Sequence, residues 1–213
     1  MKKYELTAEF IEKWGKKLFR IKALISFGNV EAGELGGYVE KEDNLAQDDN
    51  AWVHGNARVF GNARVCDDAE VLGNARVFGN ARVCDDAEVF GNARVYGDAE
   101  VCDDAEVFGN ARVYGDARVC GNARVYGDAD YLLIGRIGSR FSFTTFFKNK
   151  DKGITVSCGC FLGTIAEFRA KVSDTHGNNK HAKIYNLAAD MAELQILGEE
   201  HFENLNTNKS EPF

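Results

Sequence analysis

Residues 57–74 read ARVFGN ARVCDD AEVLGN, three six-residue units that begin at Ala57, Ala63 and Ala69 and carry a valine two places later. The unit continues on both sides: valine recurs at every sixth position from Val53 to Val125, thirteen times, with alanine two residues before each. Alternate residues of a strand point the same way, so Ala and Val share an inner face. The Arg or Glu between them, and the residue after Val, then point outward. The closing pair, Gly-Asn or Asp-Asp, is of the type that bends a chain tightly. Each hexad is therefore one short strand and one corner.

The hexad alone does not say how many sides make a coil, but the cysteines do. Cys66, Cys84, Cys102 and Cys120 stand eighteen residues apart, which is three hexads, so the coil has three sides. With strands about 4.8 Å apart, the hexads predict a little over four coils and a column on the order of 20 Å. Such a column has few long-range contacts and two open ends, and it needs caps.

The other compositional facts narrow the setting. A chain of 213 residues holds one elongated repeat body plus a smaller appended unit. Its single proline, Pro212, leaves every earlier residue with a backbone donor. No apolar run approaches a membrane span, and the start, MKKYELTAEF, lacks a signal-peptide core, so a cytoplasmic protein is expected. The formal charge of -7 argues against general nucleic-acid binding while leaving room for a local basic stripe. In a reducing compartment the four periodic cysteines are expected as free thiols.

The hexads resemble the hexapeptide-repeat superfamily, whose motif sets a small residue four places after an aliphatic one, as Val59 and Ala63 do. The lead-in, Gly33-Glu34-Leu35-Gly36-Gly37-Tyr38-Val39-Glu40 with Asn44-Leu45 and Ala51-Trp52-Val53, resembles that of YdcK-like proteins of bacteria and prophages. The resemblance implies a left-handed helix; periodicity alone does not fix the hand. The fold expected is mainly β: a three-sided left-handed parallel β-helix over 53–130, an N-terminal β-hairpin cap and lead-in over 1–52, and a small α+β unit over 131–198. The hairpin should turn near Trp14-Gly15. In the C-terminal unit, residues 140–147 and 153–161 form a second hairpin around 149–152, helices follow at 164–173 and 180–197, and 199–213 is a frayed tail.

Sorting the outward residues by the eighteen-residue period gives three faces. The first carries Arg58, Arg76, Arg94 and Arg112 beside Phe60, Phe78, Tyr96 and Tyr114. The second carries Arg64, Arg82, Glu100 and Arg118 beside the cysteines. The third carries Glu70, Glu88, Glu106 and Arg124 beside Leu72, Phe90, Phe108 and Tyr126. Such ladders can be solvated copies made by repeat duplication. Stacked like charges repel, however, and two outward aromatic ladders make a large apolar surface, which points to self-association of the first face with the third as a dimer or trimer. The corner between the second and third faces sets Asp67-Asp68, Asp85-Asp86 and Asp103-Asp104 in a ridge, either a cation site or simply residues that suit tight corners.

Two sets of residues bear on chemistry. Hexapeptide acyltransferases use a histidine base and a loop that walls off the acyl donor. Here the hexads run without insertion, and His54 is the one histidine among them. In the C-terminal unit, Cys158 and Cys160 with His176 and His181 are a candidate zinc set, and Cys160 with His176 a candidate nucleophile pair. No metal or cofactor is expected to be required. Two functions stand: a non-catalytic binding or assembly protein of bacterial or phage origin, such as a sequestering or anti-defence protein with a protein or small-molecule partner, or an acyltransferase using acyl-CoA.

Overall fold

A computed structural model describes residues 2–199. The chain forms two compact units, one of residues up to 122 with 126–128, the other of 123–125 with 129 onward.

In the first unit, β1 (Tyr4–Lys13) and β2 (Lys16–Ala23) pair antiparallel around Trp14-Gly15. Both turn residues have positive φ, 53° and 70°, the left-handed pair that a two-residue hairpin turn requires. β2 pairs antiparallel with β3 (Leu35–Val39), and β3 runs parallel to the first strand of the column's first face. The expected cap is thus hydrogen-bonded into the sheet that it protects.

The hexads form two-residue strands, each ending on a valine. The first face stacks β5 (Arg58–Val59), β8 (Arg76–Val77), β11 (Arg94–Val95) and β14 (Arg112–Val113) on β3. The second stacks β6 (Arg64–Val65), β9 (Arg82–Val83), β12 (Glu100–Val101) and β15 (Arg118–Val119). The third stacks β4 (Trp52–Val53), β7 (Glu70–Val71), β10 (Glu88–Val89) and β13 (Glu106–Val107). Every pairing between these hexad strands is in register at eighteen residues, as in Val59 with Val77 and Glu70 with Glu88. The coil is three-sided, and the cysteines fall in one column. All hexad valines and alanines are buried, the alternation putting each on the inside. Amides of one coil donate to carbonyls of the next, Phe60 N to Val77 O at 3.0 Å and Arg58 N to Ala75 O at 3.0 Å.

Two expectations need correcting. The residue after each valine lies on the outer side of its strand, yet Phe60 and all four periodic cysteines are buried. Identical side chains in register at strand spacing shield one another. Nor are all four thiols free: Cys102 and Cys120 form a disulfide, and Cys66 and Cys84 remain thiols. Equivalent positions on adjacent coils lie 4.6 Å apart at Cα, within the reach of a disulfide.

The corners use two solutions. At most of the glycine corners a Cβ would crowd the coil above; one added to Gly79, at φ 77°, would sit 2.9 Å from Gly97 N. At the aspartate corners Asp67, Asp85 and Asp103 adopt φ of 60°, 58° and 56°, a region that Asp enters at lower cost than most residues. Their carboxylates accept the next coil's amide, Asp103 N to Asp85 at 3.2 Å and Gly121 N to Asp103 at 2.8 Å.

Near the cap the column is closed by buried polar anchors. Lys3 Nζ donates to the carbonyls of Asp48, Asp49 and Ala51 at 3.0, 3.2 and 3.0 Å. Tyr4 Oη donates to Leu45 O at 2.8 Å, and Asn44 Nδ2 to Ala63 O at 2.7 Å. Burial holds Lys3 down at about 8, against the raising influence of Asp48, Asp49 and Asp68.

In the second unit β17 (Tyr131–Ile137), β18 (Ser142–Lys148), β19 (Ile154–Cys158) and β20 (Phe161–Thr164) make an antiparallel meander. Helices α1 (Ile165–His176) and α2 (Lys180–Leu197) bury Phe168, Val172, Ala189 and Ala192 with Phe146 and Val156 of the sheet. Thr164 and Glu167 form a reciprocal capping box at the start of α1. Arg169 clamps the helices, reaching Asp190 at 2.8 Å and the buried Glu193 at 2.7 Å. The expected hairpin and second helix are present; β17 and β20 are additional, and α1 runs three residues beyond the expected end. Of the expected tail, residues 200–213 lie outside the described residues. No helix among the described residues is long and apolar enough to cross a membrane.

Candidate functional site

The first face combines uniform charge with a continuous ring stack. Trp14, Phe60, Phe78, Tyr96 and Tyr114 follow one another at centroid distances of 4.9, 5.0, 4.9 and 5.4 Å, with interplanar angles of 17°, 2°, 2° and 15°. The stack follows from register: one aromatic per coil, one strand spacing apart, sets successive rings within stacking distance. Trp14 of the hairpin turn seals the near end, and its other neighbour is Arg76, whose guanidinium lies 5.0 Å from the ring centroid. Tyr114 is exposed at the far end.

Beside the rings Arg58, Arg76, Arg94 and Arg112 stand in strict register. Among the described residues no carboxylate lies within ion-pair distance of Arg58, Arg76 or Arg94. Burial and the like charges of Arg94 and Arg58 lower the proton affinity of Arg76. The second face behaves differently: Glu100 interrupts the arginines and meets Arg118 at 3.2 Å. Positive charge is thus partly offset on the second face and concentrated on the first.

The third face carries Glu70, Glu88 and Glu106 in register, with Phe90 and Phe108 stacked at 5.0 Å and Tyr126 edge-on to Phe108 at 5.3 Å. The first and third faces therefore present ladders of opposite sign with one repeat distance. His54 sits at this face, its Nε2 3.8 Å from Glu70 Oε2 and without a hydrogen-bond partner among the described residues. The corner after it, Gly55-Asn56, is a two-residue turn, and the hexads continue from there without insertion.

The aspartate ridge is used inside the fold. The thiol of Cys66 and the Asp85 amide hold the Asp67 carboxylate below its ordinary range. Burial, and then Asp85, pushes the Cys84 thiol up to about 12.

Of the four residues considered for zinc, three line one cleft of about 430 Å³ in the second unit: Cys158, Cys160 and His176. His181 stands beside His176, ring centroids 5.8 Å apart, but does not line the cleft. Among the described residues no three donors from this set come within 4.8 Å of one another. Instead Cys158 Sγ accepts from Thr144 Oγ1 at 3.2 Å and contacts Tyr185 Oη at 4.0 Å, and His176 stacks on Tyr185. The sequence reading missed Trp14, Arg140, Lys171 and Tyr185. Trp14 beside Gly15 signalled a turn, not a ring ladder, and the other three are gathered only by tertiary folding.

Comparison with known families finds the YdcK β-solenoid repeat at residues 105–120 and 117–129. Comparison with curated proteins finds no match. The matched stretch takes in the hexads that begin at Ala105, Ala111, Ala117 and Ala123, so this part of the column is similar to the YdcK β-solenoid repeat.

Proposed function

We propose that the column is a non-catalytic binding and assembly module that works in the cytoplasm as a dimer or trimer. Its Arg–aromatic face docks on carboxylates repeating at strand spacing, and the Glu70, Glu88 and Glu106 face of a second copy supplies such a ladder. The observation that carries this reading is the register of Arg58, Arg76, Arg94 and Arg112, with no carboxylate partner for the first three among the described residues, beside a preformed ring stack. Stacked like charges cost free energy in an isolated protomer, and a complementary ladder removes that cost. The setting proposed is bacterial or prophage, in which such a surface would serve a sequestering or anti-defence role.

A charge-swap experiment tests it. Arg76→Glu with Arg94→Glu should give a monomer, as should Glu88→Arg with Glu106→Arg, and mixing the two variants should restore the oligomer by light scattering. A parent protein that is monomeric at high micromolar concentration, or variants that associate as the parent does, would sink the reading. Calorimetry with acetyl-CoA addresses the alternative: micromolar affinity, lost in His54→Ala, would favour an acyltransferase.

A further inference from the structure

The second unit contains a hollow that the binding-face reading does not use. It lies where four pieces of chain converge: the turn between β17 and β18, the turn between β19 and β20, one side of α1, and Tyr185 of α2. Both turns hold a glycine at positive φ, Gly138 at 73° and Gly159 at 62°. Gly138 is forced by packing as well, because a Cβ there would fall 1.8 Å from the Tyr185 hydroxyl oxygen, which passes beneath the turn. The cleft is a fixed product of the fold and, at about 430 Å³, has the size of a small-molecule site.

Its lining has a definite chemical bias. Phe161, Phe168, Val172 and Tyr185 make an apolar floor, and Arg140 and Lys171 stand at the rim with the imidazole of His176. Among the described residues no aspartate or glutamate lines it. Helix α1 sharpens the point: Arg169 is consumed by Asp190 and Glu193, whereas Lys171, two residues on, has no carboxylate within ion-pair distance among the described residues. The same holds for Arg140. An apolar hollow rimmed by uncompensated cations favours an anion with an apolar body over a neutral or cationic guest.

We infer that this cleft binds a small organic anion, a carboxylate or phosphate head held by Arg140 and Lys171 with an apolar or aromatic body on the Phe161 and Phe168 floor. Hydroxyls of Ser139, Ser142 and Thr175 complete the rim and can donate to the head oxygens.

Calorimetry on the full chain with phenylphosphate, phenylacetate and uncharged phenylacetamide tests the inference, with alkylation of the exposed Cys160 in the same cleft as a second readout. At least one anion should bind, phenylacetamide should bind at least about tenfold more weakly, and Arg140→Gln or Lys171→Gln should each weaken the anion about tenfold, the scale of one charge-assisted hydrogen bond. Lys171→Arg should retain binding, and the bound anion should slow iodoacetamide at Cys160. Binding of phenylphosphate alone would assign the head as phosphate, and of phenylacetate alone as carboxylate. The inference is overturned if none of the probes binds at millimolar concentration, if phenylacetamide binds as well as the anions, or if the Gln variants bind like the parent. Arg140 and Lys171 are exposed, and an unchanged far-ultraviolet spectrum of each variant confirms that the loss is one of binding.

Discussion

At the scale of single residues the corners carry sharp consequences, because their neighbours are one coil away. Gly97 has φ 78°, and an added Cβ would lie 2.8 Å from Gly115 N, so Gly97→Ala combines backbone strain with a clash and should cost at least about 2 kcal/mol in urea unfolding. Gly55 has φ 57° but open space, with Gly73 O at 3.9 Å, so Gly55→Asn should change stability by less than about 0.5 kcal/mol. The buried thiols give a pH signature. The fold holds Cys84 at about 12 against an ordinary value of 9, so it keeps a proton that the unfolded chain releases above pH 9. The resulting stability is fully present below pH 9 and is lost as pH rises toward 12. In Cys84→Ala the unfolding midpoint should therefore fall less steeply across that window, with chemical denaturation at stepped pH as the check. The corner type and the buried valines were legible in the hexad itself. The burial of the cysteines was not, since a strand's alternation says which side a residue takes but not whether its copies above and below will cover it.

At the scale of elements the hairpin and its anchors decide how the column begins. Lys3 satisfies three carbonyls of the segment leading to β4, so Lys3→Met would leave Asp48, Asp49 and Ala51 short of donors. A loss of about 2–3 kcal/mol is expected in thermal or urea unfolding. Amide exchange should rise first in the coil nearest the hairpin. Lys3 itself lies down the chain from no visible signal: nothing near the N-terminus marks an ammonium destined for a buried carbonyl cage. The hairpin turn was legible, because Trp14-Gly15 sits between two alternating stretches. β17 was not, because Tyr131-Leu132-Leu133-Ile134 is apolar without alternation and follows the last hexad directly. β20 is four residues long and contains Gly163, and it merges into the capping box of α1, so helix signals overwrote it.

At the scale of the whole molecule the column is a one-dimensional stack in which each coil answers mainly to its neighbours. Removing methyls from one rung, as in Val95→Ala, should cost about 2 kcal/mol wherever in the stack it is made, which a series at Val77, Val95 and Val113 can check by urea denaturation. The three faces could be sorted from sequence because an eighteen-residue period maps position directly onto side. The cleft of the second unit could not be, since Ser139, Cys160 and Lys171 share no periodicity and meet only after the strands and α1 have packed. Register has one more consequence, and it concerns heredity. Every chemical row of the column, aromatic, arginine, thiol, aspartate and glycine, is copied at an interval of eighteen residues, so excising 76–93 would join Ala75 to Arg94 and leave each row aligned. Excising six residues, 76–81, would instead set Cys84 above Phe60 and Asp85 above Gly61. Gene segments of fifty-four bases are therefore interchangeable parts, and the length of this protein is free to drift by whole coils while its surfaces keep their identity.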